Sequence, residues 1–215
     1  MKSVVIFDMD GTLIDTESVY LKAYQEVFQA RGIEFTDQEY IDQHAGRTAA
    51  ACLQALVEKT GSQDLAKTLF NEAEQRFVEI EAESGIDNKA GLLETIEALK
   101  DMEVIIHVAS SSNRSEVISR LKGAGISSYI DGFTSGDEVT HSKPHPEIFL
   151  KALEKTGQSK DSALIIEDSV AGVEAGFRSG IDTIMVPDLV AASEKNKAQA
   201  LAIVNRLDDI LNYVK

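Results

Sequence analysis

The chain opens with a continuous apolar run, Val4-Val5-Ile6-Phe7, that ends abruptly in Asp8-Met9-Asp10-Gly11. A short, β-branched run without alternation predicts a strand covered on both faces, as in a parallel sheet. From Thr16 to Ser84 the period changes, and apolar positions recur at helical spacing. Examples are Tyr20, Ala23, Tyr24, Val27 and Phe28, then Leu53, Leu56 and Val57, then Leu65, Leu69, Ala73 and Phe77. Gly32, Gly46, Gly61 and Gly85 punctuate these stretches. After Gly91 the two patterns alternate: helix 92–100, strand 104–109, helix 115–122, a short strand near Phe133, helix 148–156, strand 164–166, helix 170–179 and strand 183–186. The tail, 191–214, predicts one or two further helices against the core. Strand–helix alternation interrupted once, after the first strand, predicts a doubly wound α/β domain with a mostly parallel sheet and an all-helical insertion. The boundaries expected are 1–14 and 88–215 for the core and 15–87 for the insertion, with crossings at 14–16 and 85–89.

Candidate chemistry gathers where predicted strands end, the edge at which open α/β sheets bind their ligands. Period-two geometry sends Asp8 and Asp10 the same way, and Gly11 lets the backbone turn beneath them. The strand 104–109 ends in Ser110-Ser111-Ser112-Asn113 before a helix, where Ser110, Ser111 and Asn113 can donate to a phosphate oxygen. Capping explains part of this cluster equally well, and Ser112 or Ser115 is the expected N-cap. Lys143, in the proline-stiffened loop Ser142-Lys143-Pro144-His145-Pro146, offers one cation to a phosphoryl group and a carboxylate. The strand 164–166 runs into Glu167-Asp168, an acidic pair that could equally be a helix N-terminal feature. Hard oxygen donors in this number suit Mg²⁺ rather than zinc. With a nucleophilic carboxylate and a lysine they suit phosphoryl transfer through an aspartyl-phosphate.

At this point the chain resembles the haloacid dehalogenase superfamily, whose four motifs match in order: Asp8-Met9-Asp10-Gly11-Thr12, Ser110, Lys143 and Glu167-Asp168. Asp15-Thr16-Glu17, Ser142 to Phe149 and Glu167 to Val173 resemble the branch of sugar-phosphate phosphatases and β-phosphoglucomutases in particular. The resemblance implies a Rossmann-like core carrying a helical cap that excludes water and selects the leaving group. It implies Asp8 as nucleophile, Asp10 as general acid and base, and Ser110 and Lys143 around the phosphoryl group. It also implies Mg²⁺ held by Asp8, the Asp10 backbone carbonyl and Asp168, with Glu167 bound directly or through a neighbour. Tyr20, Arg47 and Thr48 are the cap residues expected to meet substrate. The dehalogenating members lack an acid at the Asp10 position, so its presence favours phosphoryl chemistry. Two departures from the mutase pattern separate the branches further. The mutases carry Gly-x-x-Arg in the cap, whereas Gly46 is followed here by Arg47, Thr48 and Ala49. They also place histidine where Tyr20 stands.

The resemblance implies a phosphatase of small phosphorylated metabolites, sugar phosphates first, with a mutase or a catalytically silent regulatory member as the alternatives, and the composition is compatible with it. A receiver-type signalling domain would not need so long an insertion after its first strand. The 215 residues are 43% hydrophobic, enough for one sizeable core plus an insertion. A net charge of -15 argues against nucleic acid and anionic membranes, so any phosphate must be met by local cation. The single cysteine, Cys52, excludes an intrachain disulfide and reads as core. With no apolar stretch long enough to span a bilayer, a cytoplasmic monomer is expected. His107 should be a neutral, hydrogen-bonded core histidine, His44 a loop residue, and Asp137 either an orienter of Lys143 or a turn residue.

Overall fold

Six parallel strands form one sheet in the order β3-β2-β1-β4-β5-β6 in the computed structural model, which describes residues 1–215. The strands are β1 Val4–Phe7, β2 Ile105–Ala109, β3 Gly132–Thr134, β4 Ala163–Glu167, β5 Asp182–Met185 and β6 Ala202–Ile203. Every residue of β1 is buried, as its unbroken apolar run requires. The order reverses at β1, which pairs with β2 on one side and β4 on the other. Phe7 is in register with Val108 and with Ile166, so the three strands end level.

Five helices accompany this sheet: α5 Leu92–Asp101, α6 Arg114–Gly123, α7 Glu147–Thr156, α8 Val170–Ser179 and α9 Glu194–Gln199. Alternate β1 residues Val4 and Ile6 face a core built with Ile148, Phe149 and Ala152 of α7 and with Ala175 of α8. The tail has the helical segments expected of it, with one strand added between them. It holds α9, then β6, which pairs in parallel with β5, then a 3-10 segment at Leu207–Tyr213. A two-residue strand carries no period to read, so the sequence pattern missed it.

Residues Thr16–Ile86 form a separate compact unit, and Met1–Asp15 with Asp87–Lys215 form the other. The first contains α1 Thr16–Gln29, α2 Asp37–Gln43, α3 Ala49–Thr60 and α4 Gln63–Ser84. Thr36, Thr48 and Ser62 cap α2, α3 and α4 through their hydroxyls. Cys52 and Leu56 of α3 and Leu69, Ala73 and Phe77 of α4 are buried, as the helical period predicts.

His107, in the middle of β2, is buried with Nε2 3.1 Å from Thr134 Oγ1. Burial, helped by Lys155, pushes its pKa down to about 4. The unfolded chain takes up that proton near pH 6.5, whereas the fold refuses it until about pH 4. Stability from this residue is therefore complete above pH 6.5 and lost as the pH falls towards 4. We expect the urea midpoint to drop from pH 7 to pH 5, and to drop less in His107→Gln. Equal pH dependence in the two proteins would show that the imidazole is not excluded from protonation. His44, whose pKa burial also lowers to about 4, leaves a residual slope.

Candidate active site

The level ends of β1, β2 and β4 deliver side chains to one place. Asp8 follows β1 and donates its own N–H to the Ile166 carbonyl at 2.9 Å, which keeps it in line with the sheet. The chain then turns back, with Gly11 N–H donating to the Ile14 carbonyl at 2.9 Å. Gly11 has φ +82, and a Cβ there would overlap the Asp168 carboxylate, so glycine is needed on both counts. Thr12 is buried in the same turn and donates from Oγ1 to Asp168 Oδ1 at 2.9 Å.

Lys143 is the hub. Its ammonium meets Asp8 Oδ1 and, at 2.6 Å, Glu167 Oε1, and its side chain retains only 9% exposure. The other oxygen of Glu167 accepts from Ser169 N–H at 2.8 Å and Ser169 Oγ at 2.9 Å. Ser169 is the N-cap of α8, so the fully buried Glu167 carboxylate sits at the positive end of a helix. Ligand oxygens of Asp8, Glu167 and Asp168 all lie within 4.8 Å of one another. Burial raises the Asp8 pKa above the usual carboxylate range, against the pull of Lys143 and with Glu167 and Asp10 adding to the rise. Lys143 is held firmly charged, because its two carboxylate neighbours outweigh its own burial. Three buried carboxylates against one ammonium leave excess negative charge, and an all-oxygen donor set of this kind fits a hard divalent cation.

The second aspartate is engaged differently. Asp10 Oδ2 accepts from Ser110 Oγ at 3.1 Å and Ser112 Oγ at 2.9 Å, while Arg120 Nη1 reaches Oδ1 at 2.9 Å. The Arg120 side chain, on α6, is 8% exposed. Neither Arg120 nor the Ser112 contact was anticipated. The available signal was that Arg120 stands three residues after buried Val117 and beside buried Leu121, on the helix face otherwise reserved for the core.

Other expected residues fall elsewhere. Asn113, rather than Ser112 or Ser115, caps α6, accepting from Ser115 and Glu116 amides in a capping box. Ser111 lies where Gly136 approaches it closely, since a Cβ at Gly136 would overlap the Ser111 carbonyl oxygen. Asp137 is engaged by Ser135 and the Arg114 backbone, so turn chemistry accounts for it. Tyr20, Arg47 and Thr48 belong to the helical unit. There Tyr20 stacks on Phe77 at 4.0 Å, Arg47 Nη2 donates to the Asp42 carbonyl at 2.6 Å, and Thr48 caps α3. Within that unit a cavity of about 290 Å³ is lined by Glu17, Tyr20, Tyr40, His44, Arg47 and Glu74 among others. His44 lies in the turn after α2, as expected, but is buried there, packed on Tyr24, Phe35 and Tyr40, with neither ring nitrogen hydrogen-bonded.

Residues 5–186 match the family described as haloacid dehalogenase-like hydrolase. The phosphorylated carbohydrates phosphatase of Thermotoga maritima is 31% identical over 218 residues, covering 98% of this chain and 97% of that protein. The fructose-1-phosphate phosphatase YqaB of Escherichia coli is 27% identical over 85% of this chain and 95% of its own length. Among solved structures, a Thermotoga maritima protein provisionally named β-phosphoglucomutase superposes with a TM-score of 0.80 at 29% identity, covering 100% of this chain and 98% of that one.

One contact makes the packing around Glu167 testable without reference to turnover. A Cβ at Gly172, in the first turn of α8, would overlap the Glu167 carboxylate. Gly172→Ala should therefore cost about 1–3 kcal/mol, as overpacking of a filled interior does. Urea unfolding reads this directly, and an unchanged midpoint would mean that Glu167 has room to move.

Proposed function

The chain belongs to the haloacid dehalogenase-like hydrolases, and from that premise we propose that it is a Mg²⁺-dependent phosphatase of small phosphorylated metabolites, with sugar monophosphates its substrate class. The observation that carries the reading is the convergence of Asp8, Asp10, Ser110, Lys143 and Asp168 at the level ends of β1, β2 and β4. Phosphatase names among the relatives support the same reaction class.

In this reading the Asp8 carboxylate attacks phosphorus in line and becomes a phospho-aspartate, and the departing alkoxide takes a proton from Asp10. Asp10 then removes a proton from the water that opens the acyl phosphate. Arg120, Ser110 and Ser112 hold Asp10 to one side in the present arrangement, so a turn of its side chain towards the leaving oxygen belongs to the cycle. Lys143 and the amides near Met9 and Ser111 stabilise the transferring oxygens. Asp8, Asp168 and the Asp10 carbonyl are the groups that would hold Mg²⁺, with Glu167 behind them. When bound, the ion supplies the positive charge this cluster lacks and aligns phosphoryl oxygens.

Asp8→Asn should remain folded and lose several orders of magnitude in kcat for phosphate release, and chelator should abolish wild-type activity until Mg²⁺ is restored. Mn²⁺ should restore it better than Ca²⁺, whose larger shell misplaces in-line groups. Near-wild-type turnover by folded Asp8→Asn, or full activity in excess chelator, would overturn the mechanism.

The similarity to a structure provisionally named β-phosphoglucomutase makes intramolecular phosphoryl transfer the second reading. Two features favour hydrolysis. Ala49 stands where the mutase pattern has arginine, and the guanidinium of the offset Arg47 is engaged by the Asp42 carbonyl in the last turn of α2. The cavity of the helical unit sets two carboxylates, Glu17 and Glu74, beside tyrosine hydroxyls and against one guanidinium, that of Arg47, a lining richer in acceptors for sugar hydroxyls than in positive charge for a second phosphate. A panel of sugar and short-chain phosphates should therefore release free phosphate, with negligible interconversion of β-glucose 1-phosphate and glucose 6-phosphate. Efficient interconversion stimulated by a trace of bisphosphate, with little free phosphate, would assign the mutase instead.

A further inference from the structure

The loop that carries Lys143 holds a second group of ligating side chains on its outer surface. His141, His145 and Glu147 follow one another at spacings of four and two residues, and a turn closed by His145 N–H to the Ser142 carbonyl at 3.0 Å folds them together. The two imidazoles lie side by side, with centroids 4.6 Å apart. His141 Nδ1 is 2.8 Å from Glu147 Oε2, and His145 Nδ1 is 3.9 Å from that oxygen. One ligand atom from each residue falls within a 4.8 Å circle. Two ligands at about 2.0–2.1 Å from a tetrahedral ion stand roughly 3.3 Å apart, a value these separations bracket.

Glu147 already braces the loop, because its carboxylate accepts the Thr140 amide at 2.9 Å and the His141 amide at 3.0 Å. Those amides fix the carboxylate's orientation and leave lone pairs facing the imidazoles, which is the support a ligand needs from its surroundings. The brace accounts for Glu147 and for His141. It does not account for His145, which is too far from the carboxylate for a hydrogen bond and offers Nδ1 only to the Glu147 amide, at 3.3 Å. The neighbouring cations point away or lie to one side. Lys143 turns inward to Asp8 and Glu167, and Arg178 pairs with Glu174 on its own helix and touches this loop only at the Pro144 carbonyl, at 3.5 Å. Both histidines are more than half exposed or nearly so, at 62% and 50%, which gives an ion access and leaves positions for water.

We propose that His141, His145 and Glu147 form a surface site for a borderline transition-metal ion, Zn²⁺, Co²⁺ or Ni²⁺, distinct from the oxygen-only cluster around Asp8. Two imidazoles and one carboxylate select such ions over Mg²⁺, which takes oxygen ligands and keeps its water. An ion there ties both flanks of the Lys143 segment to the first residue of α7, so it stiffens the loop from outside without touching the buried centre.

Metal-free protein in excess Mg²⁺, which occupies the carboxylate cluster, is titrated with Co²⁺ while visible d–d absorption is followed, and Zn²⁺ is then added in competition. One equivalent of Co²⁺ should bind with the intense absorption of a low-coordinate site and be displaced by Zn²⁺. His145→Ala, an exposed substitution, should weaken binding by about tenfold or more. Asp168→Asn should leave it unchanged. Absence of saturable Co²⁺ binding, equal affinity in His145→Ala, or loss of binding in Asp168→Asn instead would each overturn the proposal.

Discussion

A buried ammonium shared between two buried carboxylates is the constraint on which the rest of this centre depends. Lys143 meets Asp8 and Glu167 where water is nearly absent, and Asp168 stands alongside. Such clusters contribute little net stability, because desolvation offsets attraction, yet removing one partner strands a charge in the interior. The surrounding structure is arranged accordingly. Glu167 rests on the capped end of α8, Asp168 takes the Thr12 hydroxyl, and glycines at 11 and 172 remove the side chains that would crowd these carboxylates. The apolar packing of the sheet supplies the rigidity that keeps like charges close.

Much of this was legible because strands and helices impose different periods. The unbroken run of β1 marks a buried strand, and the acidic pair at its end marks where carboxylates cluster, without reference to topology. Helical spacing likewise separated the residues of α3 and α4 that face inward from those that do not. What stayed hidden has physical reasons. β6 is too short for a period, and the cap of α6 falls on Asn113 because backbone geometry, not composition, chooses among adjacent polar residues. Arg120 was invisible for another reason: its partner lies 110 residues away, and no local pattern encodes that pairing. His44 is the loop residue its neighbours in sequence suggest, but its burial among Tyr24, Phe35, Tyr40 and Cys52 depends on contacts made in space.

Charge works at two ranges here. The chain as a whole carries -15, which offers an anionic ligand no long-range attraction. At the centre Lys143 and Arg120 are spent on carboxylates, so positive potential there is short-ranged and is supplemented by backbone amides at helix starts. Selectivity in such a protein rests on close contact rather than on steering. No helix is long and apolar enough to cross a membrane.

The placement of β1 bears on how the chain reaches this state. Val4 pairs with Ile105 and with Ala163, so the central strand finds both neighbours only after a long stretch of intervening chain has been brought round. Closing loops of that size costs entropy before any contact repays it, and high contact order of this kind slows folding. The helices between Thr16 and Ile86 pack among themselves, the first of them, α1, against the last, α4, so the two ends of the insertion are drawn together within it. An insertion that looks like an interruption in the sequence is thus self-closing: its compactness removes much of the loop that the pairing of β1 with β2 would otherwise have to span.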